Sequence, residues 1–325
     1  MRKLPLLLIV TLFAGAEARS ASAQVWPTRP LTMVYPFAAG SSADVLGRTF
    51  ASQLSDRLGQ PVVFENVGGA GGMTGSNRVA KAPADGYQFV LGGTFMALNQ
   101  SLYKHPLYDA ATDFAPVTLT VEQPAVLLVR NDLPPKNLPE FIAYAKANQA
   151  RMQYGSGGVG SAPHLACALL GTTIGVNVTH VPYRGASGPL QDTIAGRLDY
   201  FCTLAALAIP QIQAGTVKPI AIFSNARLPV LPQVPTAREQ GLADFEVVPW
   251  YAFFLPKGTP APIVQKLRDA TVAAMDDPAI QPKLAALGYT TIEPDRRSPA
   301  VLQKLMVSEI ERWRTVIRNA GINPE

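Results

Sequence analysis

Two runs of small residues, each set between an apolar stretch and a helical pattern, carry most of the recognisable chemistry of this chain. The first is P-F-A-A-G-S-S at 36–42, after the strand-length apolar run 31–35. Beyond it, Val45, Leu46, Thr49, Phe50 and Leu54 recur at spacings of one, three and four, which is one apolar helix face over 43–58. Ser41 or Ser42 is placed to cap that helix through its side-chain oxygen, and Gly59 to end it. A strand, a small-residue loop and a helix N-terminus form a cradle for an anion. Free N–H groups and the helix dipole favour negative charge, and small side chains let a ligand reach the backbone. The loop carries no Lys, Arg or His, so an oxyanion there is held by main-chain N–H and hydroxyl groups. The same pattern serves equally as an ordinary β–α turn of an α/β domain.

The second run is G-S-G-G-V-G-S at 155–161, after a short strand at 152–154 and before a helix over about 163–173 with Pro163 at its first position. Two cradles, one in each half, suit a ligand with an anionic group at each end. Residues 155–160 also satisfy G-x-G-x-x-G, but a dinucleotide site wants an acid about 20 residues on. The chain has H-V-P-Y-R at 180–184 instead, which argues against dinucleotides. Tyr183 and Arg184 end a strand, where open α/β sheets place ligands. Arg184 suits a bidentate carboxylate contact or a structural salt bridge. A third small-residue loop, Gly92-Gly93-Thr94 after a strand at 87–91, offers a hydroxyl and an N–H, or a plain cap.

No catalytic constellation is visible. His105, His164 and His180 lack metal spacing, and no nucleophile elbow, Walker motif or HExxH occurs. His164, in the first turn of the second cradle helix, is the histidine placed nearest to a site. The aromatic run around 247–255 reads as core, with Trp250 and Tyr251 kept as site candidates.

The elements that position these loops alternate between strand and helix. Strands are expected at 31–35, 61–65, 87–91, 152–154, 177–181, 198–203 and 219–223, with two extended runs over 115–129 broken at Gln123-Pro124. The glycine-rich stretch 68–75 reads as a loop before a helix at 77–82. Further helices are expected at 137–148, 188–195, 205–213, 263–275, 278–287 and 299–320. Residues 225–240 read as loop.

Residues 1–23 have the form of a secretory signal: Arg2 and Lys3, an apolar core at 4–14, and Ala21-Ser22-Ala23 as cleavage site. Removal leaves about 300 residues, enough for two lobes. It also takes the formal charge of +5 to about +3, since Arg2, Lys3, Arg19 and Glu17 leave with it. Charges are dispersed, which argues against nucleic acid. Cys167 and Cys202, with 34 residues between them, are either a disulfide or two buried thiols; export favours the bridge.

The stretches YPFAAGSSADVLGR, LGQPVVFENVGGAGGMTGSNRVAKAPADGYQFVLG, LYDAATDFAPVTL, MQYGSGGVGSAPHL, HVPYRG, PQVPTAREQG and FFLPKGTPAPIV together resemble the periplasmic receptors of tripartite tricarboxylate transporters, the Bug family. The resemblance covers nearly the whole chain after residue 23. It implies an α/β fold of two lobes, each a mixed sheet flanked by helices, joined by extended crossing segments that act as a hinge. One lobe would hold 24–123 with 230–325, and the other 124–229. It implies a monomeric periplasmic binding protein without cofactor. Such a receptor captures an organic carboxylate and passes it to the membrane subunits of a transporter, or reports it to a sensor kinase; an exported enzyme on this fold is a third reading. It places a carboxylate pincer at Phe37, Ala38, Ala39, Gly40 and Ser41, with Asp44 on the following helix. Thr94, Ser156, Gly158, Ser161 and Tyr183 complete the cleft. The strand L-D-Y-F-C-T carries Cys202-Thr203 where many relatives have an acid, so Thr203 is a further site candidate and an ammonium-bearing ligand is disfavoured.

Overall fold

The structure is a computed structural model that describes residues 26–39, 41–158, 161–183, 185–319 and 321–322. The expected signal segment, Gly40 and Arg184 lie outside the described residues. The chain opens as β1 (Leu31–Tyr35), α1 (Ser42–Leu58), β2 (Val62–Asn66), α2 (Met73–Ala80), β3 (Gln88–Gly93), α3 (Thr94–Leu102) and β4 (Phe114–Glu122). It continues as β5 (Ala125–Val129), α4 (Leu138–Asn148), β6 (Gln153–Ser156), α5 (Ala162–Ile174), β7 (Thr179–Pro182), α6 (Ser187–Ile194), β8 (Tyr200–Leu204), α7 (Ala205–Gln213) and β9 (Lys218–Ile222). It ends with β10 (Trp250–Pro256), α8 (Ala261–Met275), α9 (Gln281–Ala286), β11 (Thr290–Thr291) and α10 (Pro299–Asn319).

Two mixed sheets result. One has the order β11-β4-β10-β3-β1-β2, the other β7-β6-β8-β5-β9. In the first, β1 lies parallel between β2 and β3, and β10 is antiparallel to β3 and β4. Alternation along each strand sends neighbouring side chains to opposite faces. Met33, Phe89 and Phe253 pack under α1 and α8, whereas Val34, Val90 and Phe254 pack under α2, α3 and α10. The second sheet repeats this: Leu127 and Val129 face one core, Val126 and Leu128 the other. Cys167 on α5 and Cys202 on β8 are joined by a disulfide, Cα to Cα 5.4 Å.

The chain passes between the sheets at Gln123-Pro124 and again near 247–250. The two passages run side by side: Gln123 N–H donates to Pro249 C=O at 2.9 Å, and Ala125 N–H to Val247 C=O at 2.9 Å. Helix α10 also spans the two, with Leu302 and Met306 in the first sheet's core and Trp313 and Ile317 in the second's.

Two expectations are corrected. The helix expected at 77–82 begins at Met73, because Gly69, Gly71 and Gly72 adopt positive φ and turn the chain earlier than the side-chain pattern indicates. Gly92-Gly93-Thr94 is not a loop: β3 runs through Gly93 and α3 starts at once. Those glycines serve close packing, since a Cβ on Gly93 would sit 2.5 Å from Trp250 O and one on Gly92 2.4 Å from Met96 Sδ. Helix α3 itself, absent from the sequence reading, follows from that abrupt strand-to-helix junction. Strand β10, which the sequence shows only as an aromatic run around 247–255, starts at Trp250.

Candidate functional site

A cavity of about 430 Å³ lies where the two sheets face each other. Its position follows from strand direction. In a parallel pair, the helices that follow both strands start at the same sheet edge. Helices α1 and α3 thus begin at one edge of the first sheet, and α5 and α7 at one edge of the second. Residues from both edges line the cavity: Tyr35, Phe37 and Thr94 from the first, Gly157, Ser161 and Leu204 from the second. Helix α3 gives a full face, with Thr94, Phe95, Leu98, Asn99 and Leu102 at spacings of one, three and four. The crossing segment adds Val247, Pro249 and Trp250, and α10 adds Trp313. Among the described lining residues none is Asp, Glu, Lys, Arg or His. The electrostatic resources are helix N-termini, main-chain N–H groups and hydroxyls, which favour an anion.

The first cradle is held from behind. Ser41 caps α1, its Oγ accepting from Asp44 N–H at 3.2 Å and lying 3.4 Å from Tyr35 Oη. Asp44 is buried and accepts from Asn66 Nδ2 at 2.9 Å; the same Nδ2 donates to Phe37 C=O at 3.1 Å, and Arg48 also donates to Asp44. Asp44 therefore fixes the Phe37 carbonyl through Asn66. Tyr289 Oη donates to Ser42 Oγ at 3.1 Å and packs edge-on against Tyr251. Burial pushes the Tyr35 phenol up to about 12; the Ser41 contact opposes this and the Asp44 charge adds to it. Burial likewise raises Tyr251 and Tyr289, so all three phenols stay neutral donors at ordinary pH.

The second cradle has the same form. Ser161 caps α5, accepting from His164 N–H at 3.4 Å and donating to Gly158 C=O at 2.7 Å. Gly158, at φ 124°, donates its N–H to Ser156 Oγ at 3.1 Å. Thr94 Oγ1 accepts Trp250 N–H at 3.0 Å, tying the start of α3 to the crossing segment.

Of the residues singled out in the sequence, Phe37, Thr94 and Ser161 line the cavity directly. Ser41, Asp44, Ser156 and Gly158 stand behind those that do. Ala38 and Ala39 are exposed on the loop. Tyr183 is not among the lining residues: its hydroxyl bonds Asp192, and its ring lies against Gly188. Thr203 is buried in β8 opposite Val126, one residue before the lining Leu204. Sequence reasoning missed Tyr35, Leu98, Tyr103 and Trp313. The α3 residues were hidden because that helix was not recognised, and Trp313 reads locally only as a core position of α10.

The structure also brings together a pair that the sequence did not suggest. Ser156 Oγ and His180 Nε2 are 2.6 Å apart. Ser156 is fully buried, its Oγ also engaged with Gly158 C=O and N–H, and neither residue lines the cavity. His180 stacks on His164 at 4.1 Å between ring centroids and on Tyr154 at 4.9 Å. Burial, then the neighbouring His180, lowers His164 to about 4; burial also lowers His180. This is a neutral stack that pins the 156–158 turn. Among the described residues no His, Cys, Asp and Glu group could hold a metal ion, and no helix is long and apolar enough to cross a membrane.

Two mixed α/β sheets facing a shared cavity, joined by paired crossing strands, define a two-lobed binding protein of the periplasmic type. The chain belongs to the tripartite tricarboxylate transporter family of receptors, whose model matches residues 46–322. It is 39% identical over 296 residues to a UPF0065 protein from the TAR-I ttuE-ttuC' intergenic region of Agrobacterium vitis, covering 91% of this chain and 86% of that one. The solved structure of periplasmic binding protein BugD is similar at TM-score 0.80 and 36% identity, covering 92% of this chain and 100% of that one. MatC from Rhodopseudomonas palustris, solved with bound malate, is similar at TM-score 0.78 and 38% identity, covering 90% and 100%.

Proposed function

We propose that this protein is an exported, non-catalytic receptor that captures an organic carboxylate between its lobes and delivers it to the membrane subunits of a tripartite tricarboxylate-type transporter. The observation that carries this reading is the cavity itself. Helix N-termini from both sheets border it, hydroxyls of Tyr35, Thr94 and Ser161 line it, and no ionisable carboxylate or amine is among its described lining residues. That is an environment for an anion and a poor one for a cation. The malate bound to MatC supports a carboxylate in particular. In this reading Phe37, Ser41, Thr94, Ser156, Gly158 and Ser161 form the binding loops, Asp44 positions the first of them, and the resemblance to the family adds Ala38, Ala39, Gly40, Tyr183 and Thr203 to the binding residues. Residues 1–23 direct export to the periplasm, where the receptor acts as a monomer. The lobes are 24–123 with the C-terminal part, and a second lobe from 124. The hydrogen bonds of 123–125 with 247–249 favour the return crossing there rather than at 230. A ligand that touches both lobes favours the closed form by its differential affinity for it.

A thermal-shift screen of the mature protein against C4–C6 dicarboxylates, citrate, benzoate- and phthalate-type acids and acidic amino acids tests this. A ligand at about 100 times its dissociation constant adds roughly 2.7 kcal/mol. A shift confined to carboxylates is expected. A shift with amines or sugars, and none with carboxylates, would overturn the reading.

A further inference from the structure

We infer that the carboxylate this receptor takes is an aromatic one, its ring seated against the aromatic and aliphatic walls of the inter-sheet cavity. The inference rests on the carboxylate reading above and specifies its substrate class. Seven of the 18 lining residues are aromatic, in a chain whose overall aromatic content is 8%. They come from four separate parts of the chain, so no single local packing requirement accounts for them. Phe37 belongs to the first cradle loop, Phe95 to the first turn of α3, Tyr103 to the residue that follows that helix, Trp250 to the crossing segment and Trp313 to α10. Leu98, Val247 and Trp313 belong to one packed cluster, with Leu102 against it, and give the cavity an aliphatic stretch.

Size points the same way. A cavity of about 430 Å³ holds roughly 14 waters at about 30 Å³ each, room for a ring-bearing acid. Length along α3, from Thr94 to Leu102, is roughly 12 Å at about 1.5 Å per residue, which accommodates a substituted benzene ring beyond the carboxylate. Phe37 and Phe95 already meet edge to face, with centroids 4.9 Å apart at 88°. That geometry is the one aromatic groups favour, and a third ring extends it.

Two pairs of probes matched for charge isolate the ring. Terephthalate and adipate are both dianions of similar span; 4-methylbenzoate and hexanoate are both monoanions. Dissociation constants are measured by calorimetry on the mature protein. The ring-bearing acid is expected to bind at least tenfold tighter in one pair or both, with neither aliphatic acid the tighter. A preference below tenfold in both pairs, or tighter binding of adipate or hexanoate, overturns the aromatic class while the carboxylate reading stands. No binding of any of the four, nor of malate or citrate, overturns the carboxylate reading itself. Phe95 is half-buried on the first turn of α3, at the margin of the first sheet's core, so Phe95→Ala removes a ring from the cavity wall without emptying a fully buried site. It should cut the ring preference at least threefold, the aromatic acid losing more affinity than its aliphatic partner; an unchanged preference removes Phe95 from the ring site.

Discussion

Removing the disulfide separates stability from binding. Cys167 and Cys202 are 35 positions apart in sequence and both fully buried, one on α5 and one on the central strand β8. On the chain-entropy model a closed loop of that length stabilises the native state by about 4 kcal/mol at 25 °C. For some 300 residues, an unfolding entropy near 2.1 cal/mol/K per residue makes this roughly 6 °C in Tm. The Cys167→Ala/Cys202→Ala double variant is therefore expected to melt about 6 °C below the wild type in scanning calorimetry under oxidising conditions. In reductant, with free thiols confirmed by titration, the wild type should fall towards the variant while the variant stays put. Ligand affinity at 25 °C should change less than threefold. Cys167 lies more than a turn beyond the cavity-lining Ser161 and Ala162, and the Ser161 cap and the Gly158 turn do not depend on the bridge. A wild-type Tm unmoved by complete reduction would refute the stabilising role. A large affinity loss in the folded variant would refute the separation.

Other perturbations test the support of the cradles. Asp44→Ala removes the acceptor that holds Asn66 on the Phe37 carbonyl; with a charged acceptor lost, stability should drop by about 1–3 kcal/mol in urea titration and ligand affinity by at least tenfold. Gly75→Ala places a Cβ 2.6 Å from Val67 O and 2.9 Å from Pro36 Cα, both main-chain atoms. The backbone before Phe37 must move, so calorimetry should show weakened binding with a stability loss of about 1–3 kcal/mol. The His164 imidazole sits near 4 in the folded protein against 6.5 unfolded. Above pH 6.5 it is neutral in both states; below, the unfolded chain takes the proton first, so stability is lost as pH falls from 6.5 towards 4. The loss is on the order of 2 kcal/mol, and His164→Gln should flatten that part of the stability–pH curve.

What the sequence discloses depends on how local the cause is. The segment from Leu31 to Gly59 is legible almost to the residue, because an apolar run, a serine cap and a left-handed terminal glycine all act within a few positions. The break between β4 and β5 is equally plain, marked by Gln123-Pro124. Gly92 and Gly93 mislead, since the atoms that require glycine there include Trp250 O and the Phe254 ring, distant in sequence. The same junction hides α3, whose N-cap is Gly93 with no side-chain bond to mark it. The cavity walls are less legible still. Trp250 and Trp313 look like core in their own elements, and only the crossing of the chain at 123–125 and 247–250 and the span of α10 bring them to the same space. Ser156 and His180 likewise meet only because β6 and β7 are paired in parallel.

The central claim is that helix N-termini and hydroxyls, rather than a formal cation, hold an anionic carboxylate between the lobes. It is tested most directly by calorimetric titration of the tightest-binding carboxylate against its isosteric carboxamide, which keeps shape and apolar area but carries no charge. The carboxamide is expected to bind at least 100-fold more weakly, a difference of about 2.7 kcal/mol. Equal affinities for the two would mean that the cavity recognises shape alone, and would contradict anion capture at the cradles.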